Sequence, residues 1–198
     1  MPKSHPPLIL ASSSPFRREL LSRLGMEFSS VSPDVDESRL PNETAQALVS
    51  RLAESKARAV AETHPEALII GSDQVATIEG QVLGKPGNHD KAVEQLMQVS
   101  GKRVNFLTGL CLMHSSSGRT QVLCEPFHVE FRTLTRTEIE NYLNREQPYN
   151  CAGSFKSEGL GICLFQRMEG DDPSSLIGLP LIRLIDMLRS EGVDVLDL

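Results

Sequence analysis

Residues 8–18 read Leu8-Ile9-Leu10-Ala11-Ser12-Ser13-Ser14-Pro15-Phe16-Arg17-Arg18, a short apolar run that halts at a hydroxyl-rich turn and gives way to a helix. Leu8 to Ala11 have the length and composition of a buried strand. Ser14 is a helix N-cap, Pro15 suits the first helical position, and Leu20, Leu21 and Leu24 keep helical spacing up to Gly25. A strand that turns into a helix in this way aims unpaired backbone N–H groups and the positive end of the helix dipole at one spot, where anions bind. Ser12, Ser13 and Ser14 add hydroxyl donors, and Arg17 and Arg18 add planar cations that match phosphate oxygens. The same residues also make an ordinary capped helix with solvated arginines, so the choice rests on the remainder of the chain.

With 198 residues, 39% of them hydrophobic, and Gly and Pro spread throughout, the chain is expected to build one sizeable core as a single domain over 1–198. No apolar run approaches the roughly 20 residues that span a bilayer. Met1 to Pro7 carries one Lys and three Pro and no apolar signal region. The expectation is a soluble, non-exported, cytoplasmic protein. Its formal net charge of −6, with the two signs interleaved, argues against a nucleic-acid or anionic-membrane surface. A polyphosphate ligand would need a local cluster of cations and a divalent metal to screen it. Cys111, Cys124, Cys151 and Cys163 lack metal-ligand spacing and lie in or beside apolar segments, which predicts buried, reduced thiols. The five His are scattered without ligand spacing.

Further along, Phe28 to Val31 reads as a second strand, followed by an acidic turn, Ser32-Pro33-Asp34-Val35-Asp36-Glu37. Residues 44–61 form the most regular helix, with Leu48, Val49, Leu52, Ala53 and Val60 on one stripe. Lys56 interrupts that stripe; it either snorkels past the edge of the core or points into a cleft. Leu68 to Gly71 is a short apolar strand predicted to end in Ser72-Asp73-Gln74, and polar residues at the carboxyl ends of α/β strands are where ligand sites lie. Asp73 there either caps a turn, holds a metal or takes a proton from water. A hairpin turn at Glu79-Gly80 returns the chain to Gly84-Lys85-Pro86. Asn88 caps a third helix, and two long strand-like runs, Val104–Met113 and Gln121–Phe131, read as scaffold with no assigned chemistry. Thr135 to Glu138 is a capping box. The glycine-bounded loop 151–159 holds Lys156 and Glu158, which an extended backbone would put on one side; an exposed ion pair is the plain alternative. Gly178-Leu179-Pro180 leads into a last apolar helix and reads as structural. Strands interleaved with helices around a central antiparallel pair predict an α/β domain with a mixed sheet.

Taken in order, Ser12-x-Ser14-x-x-Arg17, Gly71-Ser72-Asp73-Gln74, Gly84-Lys85-Pro86, the loop Cys151 to Gly159, and Gly178-Leu179-Pro180 resemble the motifs of the Maf family of nucleoside triphosphate pyrophosphatases. The resemblance runs from Leu8 to about Arg189. It implies a two-lobed Maf/ITPase-like fold, an elongated mixed β-sheet flanked by helices with a substrate cleft between the lobes, dependence on a divalent cation (Mg2+, Mn2+ or Co2+), and often a homodimer. It further implies that Asp73 is the proton acceptor and that Glu37 and Asp73 flank the metal. Lys56 and Lys85 would then neutralise phosphate charge, with Ser12, Ser14, Arg17 and Lys156 on the phosphate side.

Branches of the family differ at the positions occupied here by Phe16, Gln74 and Glu158. An aromatic at the first, Gln after the Asp, and Ser-Phe-Lys-Ser-Glu-Gly around Glu158 resemble the branch that converts 7-methyl-GTP to 7-methyl-GMP and pyrophosphate. Trp is more usual than Phe at the first position. The branch acting on dTTP and UTP would have Arg at the first position and Thr after the Asp. A nucleotide-binding regulator linked to cell division is the reading from a different class; Asp73 and Glu37 beside several cations favour catalysis, because a sensor needs no water-activating base.

Overall fold

Every residue of the opening apolar run is buried, and Leu8–Ala11 forms β1 in the computed structural model, which describes residues 5–197. Met1 to Ser4, part of the segment read above as lacking a signal region, lie outside the described residues. The remaining strands are β2 (Ser29–Val31), β3 (Leu68–Ile78), β4 (Gln81–Leu83), β5 (Arg103–His114), β6 (Arg119–Phe131) and β7 (Phe165–Glu169). The helices are α1 (Pro15–Ser22), α2 (Ala45–Ala61), α3 (His89–Val99), α4 (Arg136–Glu146) and α5 (Leu181–Ser190), with short 3-10 turns at Ala152–Ser154, Leu160–Leu164 and Pro173–Ile177. The predicted caps are made: Ser14 and Asn88 each accept a first-turn N–H, and Thr135 with Glu138 forms the reciprocal capping box; Thr44, read as the first helical residue, is the N-cap of α2.

The strands form a seven-stranded mixed sheet in the order β2-β1-β3-β5-β6-β7, with β4 pairing onto β3. β1 runs parallel to β2 and β3, and every other pair is antiparallel. β3 corrects the sequence reading. It does not stop at Gly71 but continues to Ile78, with Ser72, Asp73 and Gln74 paired to Leu110, Gly109 and Thr108 of β5. These polar side chains do not break the strand, because its backbone stays hydrogen-bonded to β5 on one side. On the other side β1 pairs only as far as Gly71, and β4 begins only at Ala76. The stretch between them is an open edge in the middle of the sheet, and it forms the floor of the cleft between the two lobes.

Alternation along the strands sorts the core. Leu8, Leu10, Leu68, Ile70, Leu110 and Leu112 pack with α1 and α5 on one face, while Ile9, Ala11, Ile69, Cys111 and Met113 pack with α2 on the other. The far ends of the long strands, with Ala76, Ile78, Val104, Phe106, Phe127 and Val129, join α3 and α4 in the core of the second lobe. α2 lies very close to the sheet. A Cβ on Gly71 would stand 2.0 Å from the Ala53 carbonyl oxygen, and one on Gly109 would stand 2.0 Å from that of Val49. Only glycine permits that approach. All four cysteines are free thiols, but only Cys111 is buried as expected; Cys124 and Cys151 are half-buried and Cys163 is exposed, and burial pushes the Cys111 thiol up to about 12 and that of Cys124 up to about 11. No helix among the described residues is long and apolar enough to cross a membrane.

Candidate active site

The cleft encloses a cavity of about 710 Å³ bounded by the Ser12 turn, α2, the open edge of β3, the Lys85 loop and the 147–158 segment. The glycine-mediated approach of α2 brings Lys56 over that edge, and the odd-numbered residues of β3 face the same side. Lys56 is therefore met by Asp73. Its side chain is only 7% exposed, and its Nζ donates to Asp73 Oδ1 at 2.7 Å and to Glu37 Oε1 at 2.7 Å. Of the two readings of Lys56, the cleft is the one realised. Each carboxylate keeps a second oxygen that Lys56 does not engage. The hydrogen bond from Lys56 holds the Glu37 carboxyl below its usual range; burial opposes this, and the fields of Lys56, Lys85 and Arg17 assist it. Glu37 is thus an ionised carboxylate.

The opposite wall of the cleft is the turn after β1, where the sequence reading expects an anion to bind. Ser12 Oγ accepts from Ser14 N at 3.1 Å and from Arg17 Nη1 at 3.4 Å, and Ser14 caps α1 through Arg17 N. Both hydroxyls accept within the turn, so their own protons are available to a ligand. Arg17 Nε donates to the Gly178 carbonyl at 2.8 Å. Burial lowers the pKa of its guanidinium, with Asp73 and Glu37 opposing, and the group stays cationic in any case. Arg18 is exposed on the outer side of α1.

The Gly178-Leu179-Pro180 turn therefore does more than lead into α5. Its Gly178 carbonyl also accepts from Ser72 Oγ at 2.9 Å, so Ser72 and Gly178 together aim Arg17. Thr108, on a strand read only as scaffold, donates to Ser175 O at 3.0 Å, and Gln74 Nε2 donates to Thr108 Oγ1, Ser175 O and Leu176 O at 3.0, 2.7 and 3.1 Å. Gln74 thus spends its amide N–H groups on the protein, which leaves its carbonyl oxygen as the polar atom turned to other uses. Sequence reading missed Ser72 and Thr108 as positioning residues. The available signal was a buried hydroxyl beside the Asp73-Gln74 pair in one strand and inside the apolar run 106–112 of its neighbour.

Lys85, Lys156, Glu158 and Phe16 line the same cavity. The Lys85 loop is tied down through Gly84 O, which accepts from Gln95 Nε2 at 3.0 Å, and through Gly87 N, which donates to Tyr149 O at 2.9 Å. Lys156 and Glu158 do not lie side by side on an extended segment as expected. Residues 157–159 form a turn, and Lys156 Nζ bonds instead to α4, at 3.3 Å from Glu146 O and 3.4 Å from Glu146 Oε1. Glu146 Oε2 also accepts from Leu160 N, so α4 dictates the shape of this loop. Glu158 is left exposed at the rim.

The acidic loop that carries Glu37 is held to α2 by a forked pair: Arg51 Nε and Nη2 donate to Glu43 Oε1 and Oε2 at 2.6 and 2.9 Å. The bond from Arg51 holds the Glu43 carboxyl down to about 2, helped by Leu40 N and the nearby arginines and opposed by burial. A carboxyl whose folded pKa is depressed adds stability above its unfolded value, and that contribution disappears as pH falls through the folded value. The stability difference between the wild type and Glu43→Gln is therefore expected to be full near neutrality and to vanish between about pH 4.5 and about pH 2. Denaturant melts across that range check it; a pH-independent difference would mean that the pair is not linked to folding.

A family model described as Maf-like protein matches residues 7–191. The chain is 62% identical over 190 residues to a 7-methyl-GTP pyrophosphatase of Alcanivorax borkumensis, covering 96% of both chains. It is 61% identical to the protein of that name from Pseudomonas fluorescens, over 95% of this chain and 98% of the relative. With that of Nitrosococcus oceani it is 56% identical over 99% of each. Among solved structures, a HAM1 protein from Coxiella burnetii shares the fold, with a TM-score of 0.55 at 17% identity over 92% of this chain and 98% of the other.

Proposed function

Since the chain belongs to the Maf-like protein family, we propose that it hydrolyses a nucleoside triphosphate, 7-methyl-GTP foremost, to the monophosphate and pyrophosphate. The observation that carries this reading is Lys56, buried and bridging Asp73 and Glu37 on the floor of a cleft whose other wall is a capped, arginine-bearing anion turn. In the reaction, the oxygen of a water bonds to the α-phosphorus, the bridging α–β P–O bond breaks, and pyrophosphate leaves. Asp73 accepts the proton of the water. Arg17, Lys56 and Lys85 face the charge passing to pyrophosphate, while Ser12 and Ser14 donate to phosphate oxygens.

The donor set suits a divalent cation. Glu37 and Asp73 each retain one unshared carboxylate oxygen, and no group of three or more His, Cys, Asp or Glu among the described residues is placed to hold a metal. Mg2+ and similar hard ions bind through one or two carboxylates, with phosphate oxygens and water completing the shell. Glu37 and Asp73 would hold such an ion, which when bound supplies positive charge to the polyphosphate. The four free thiols suit a reducing, cytoplasmic setting.

N7-methylation gives guanine a positive charge, which an aromatic face and a carboxylate both attract. Phe16 would supply the face, and Glu158 would accept from the guanine N1 and N2 donors while repelling the acceptor-rich edges of other bases. One charge-assisted pair is worth about 1.5 to 3 kcal/mol, or roughly ten- to a hundredfold in discrimination. Glu158→Gln is therefore expected to lower kcat/KM for 7-methyl-GTP by about that factor and to change that for dTTP and UTP little; Phe16→Trp should keep or improve it. A panel of triphosphates with product identification is the test. Preference of the wild type for dTTP or UTP would retain the pyrophosphatase and discard the base assignment. Binding without turnover would point to a regulator, and free phosphate as the only product would exclude attack at the α-phosphorus.

A further inference from the structure

Glu37 reaches Lys56 from a segment with no regular structure of its own: between Val31 and Ala45 no residue belongs to a helix or strand. Its side chain is 61% exposed, so packing does not fix it. Arg51 supplies that restraint. Its guanidinium forks onto Glu43 and, through the same Nη2, donates to the Ser38 carbonyl at 3.0 Å, on the residue next to Glu37. Glu43 then passes the restraint back along the loop, because its Oε2 accepts from Leu40 N at 3.0 Å and its carbonyl accepts from Arg39 Nε at 2.8 Å.

We infer that Arg51, with Glu43, is a positioning residue that holds the Glu37 loop against α2, so that one helix grips both the backbone beside Glu37 and, through Lys56, its carboxylate. Arg51 itself does not line the cavity, so its effect passes through Glu37. The Glu43 side chain is only 7% exposed, and the pair is bidentate, which separates it from the flexible surface ion pairs that contribute little. Lysine could replace the charge but not a fork that serves two carboxylate oxygens and a carbonyl. The role in turnover rests on the proposed pyrophosphatase reading; the role in ordering the loop does not.

The test combines hydrogen exchange with kinetics on the full chain. In Arg51→Met, amide exchange in residues 36–44 is expected to speed up tenfold or more while the amides in the middle of α2 keep their protection. The Mn2+ concentration giving half-maximal activity should rise by the same factor as in Glu37→Gln, and kcat/KM should fall towards that of Glu37→Gln. The double variant Arg51→Met/Glu37→Gln should be no worse than Glu37→Gln alone, since a residue acting only through Glu37 has nothing left to lose. Should Arg51→Met fail to fold, Glu43→Gln, which keeps the shape and removes the charge, is expected to give the same pattern. Unchanged exchange in residues 36–44, wild-type turnover, or losses that multiply in the double variant would each overturn the inference. If the wild type hydrolyses no triphosphate, the functional reading fails and the exchange measurement still judges the clamp.

Discussion

Asp73→Asn is expected to lower kcat for triphosphate hydrolysis by about 10²- to 10⁴-fold, the usual effect of removing a general base, while nucleotide binding stays measurable. The substitution is nearly isosteric at a residue on a continuous strand paired to β5, so the sheet has no reason to move. Lys56 keeps its bond to Glu37, and the buried cation is not left alone. Single-turnover rates and direct nucleotide titration separate the two effects. Normal turnover in this variant would remove Asp73 from the mechanism; loss of binding equal to the loss of rate would make it a ligand-holding residue only.

Lys56→Met should reduce turnover as strongly and, unlike Asp73→Asn, should also destabilise the fold. Methionine fills the space of the lysine stem, yet it leaves Asp73, 13% exposed, facing Glu37 without the cation that bridges them. Breaking one side of a buried pair is destabilising by about 3–5 kcal/mol. At about 2–4 °C per kcal/mol for a domain of this size, that is a fall in Tm of about 6–20 °C. The double variant Lys56→Met/Asp73→Asn should recover part of the stability and none of the activity, because it removes the stranded charge but not the need for either group. A Lys56→Met protein with wild-type Tm and turnover would show that the bridge contributes to neither.

Local signals in the sequence determined the parts of this protein whose physics is local. Ser14, Thr44, Asn88 and the Thr135–Glu138 box mark helix starts because a cap involves residues only a few positions apart. The apolar run Leu8–Ala11 leading into Ser12, Ser14 and Arg17 specified the strand–turn–helix corner, since the strand end, the cap and the cation all lie within ten residues of sequence. The lysine on the apolar stripe of α2 was visible as an anomaly, but both of its readings satisfied the helix pattern.

Tertiary structure decided everything that depends on which segments meet. Lys56 points into the cleft because Gly71 and Gly109 let α2 approach within reach of Asp73, a contact that helix periodicity cannot express. Asp73 lies mid-strand and still faces the cavity, because β1 stops pairing at Gly71 and β4 pairs only from Ala76 onward; no reading of β3 alone reveals where its neighbours end. Arg17 is aimed by the carbonyl of Gly178, and Gln74 by Thr108 and the 173–177 turn, across separations at which the chain carries no local code. Lys156 departs from the extended-segment expectation for the same reason: Glu146 of α4, packed beneath the loop, offers it a partner that alternation along residues 151–159 could not anticipate.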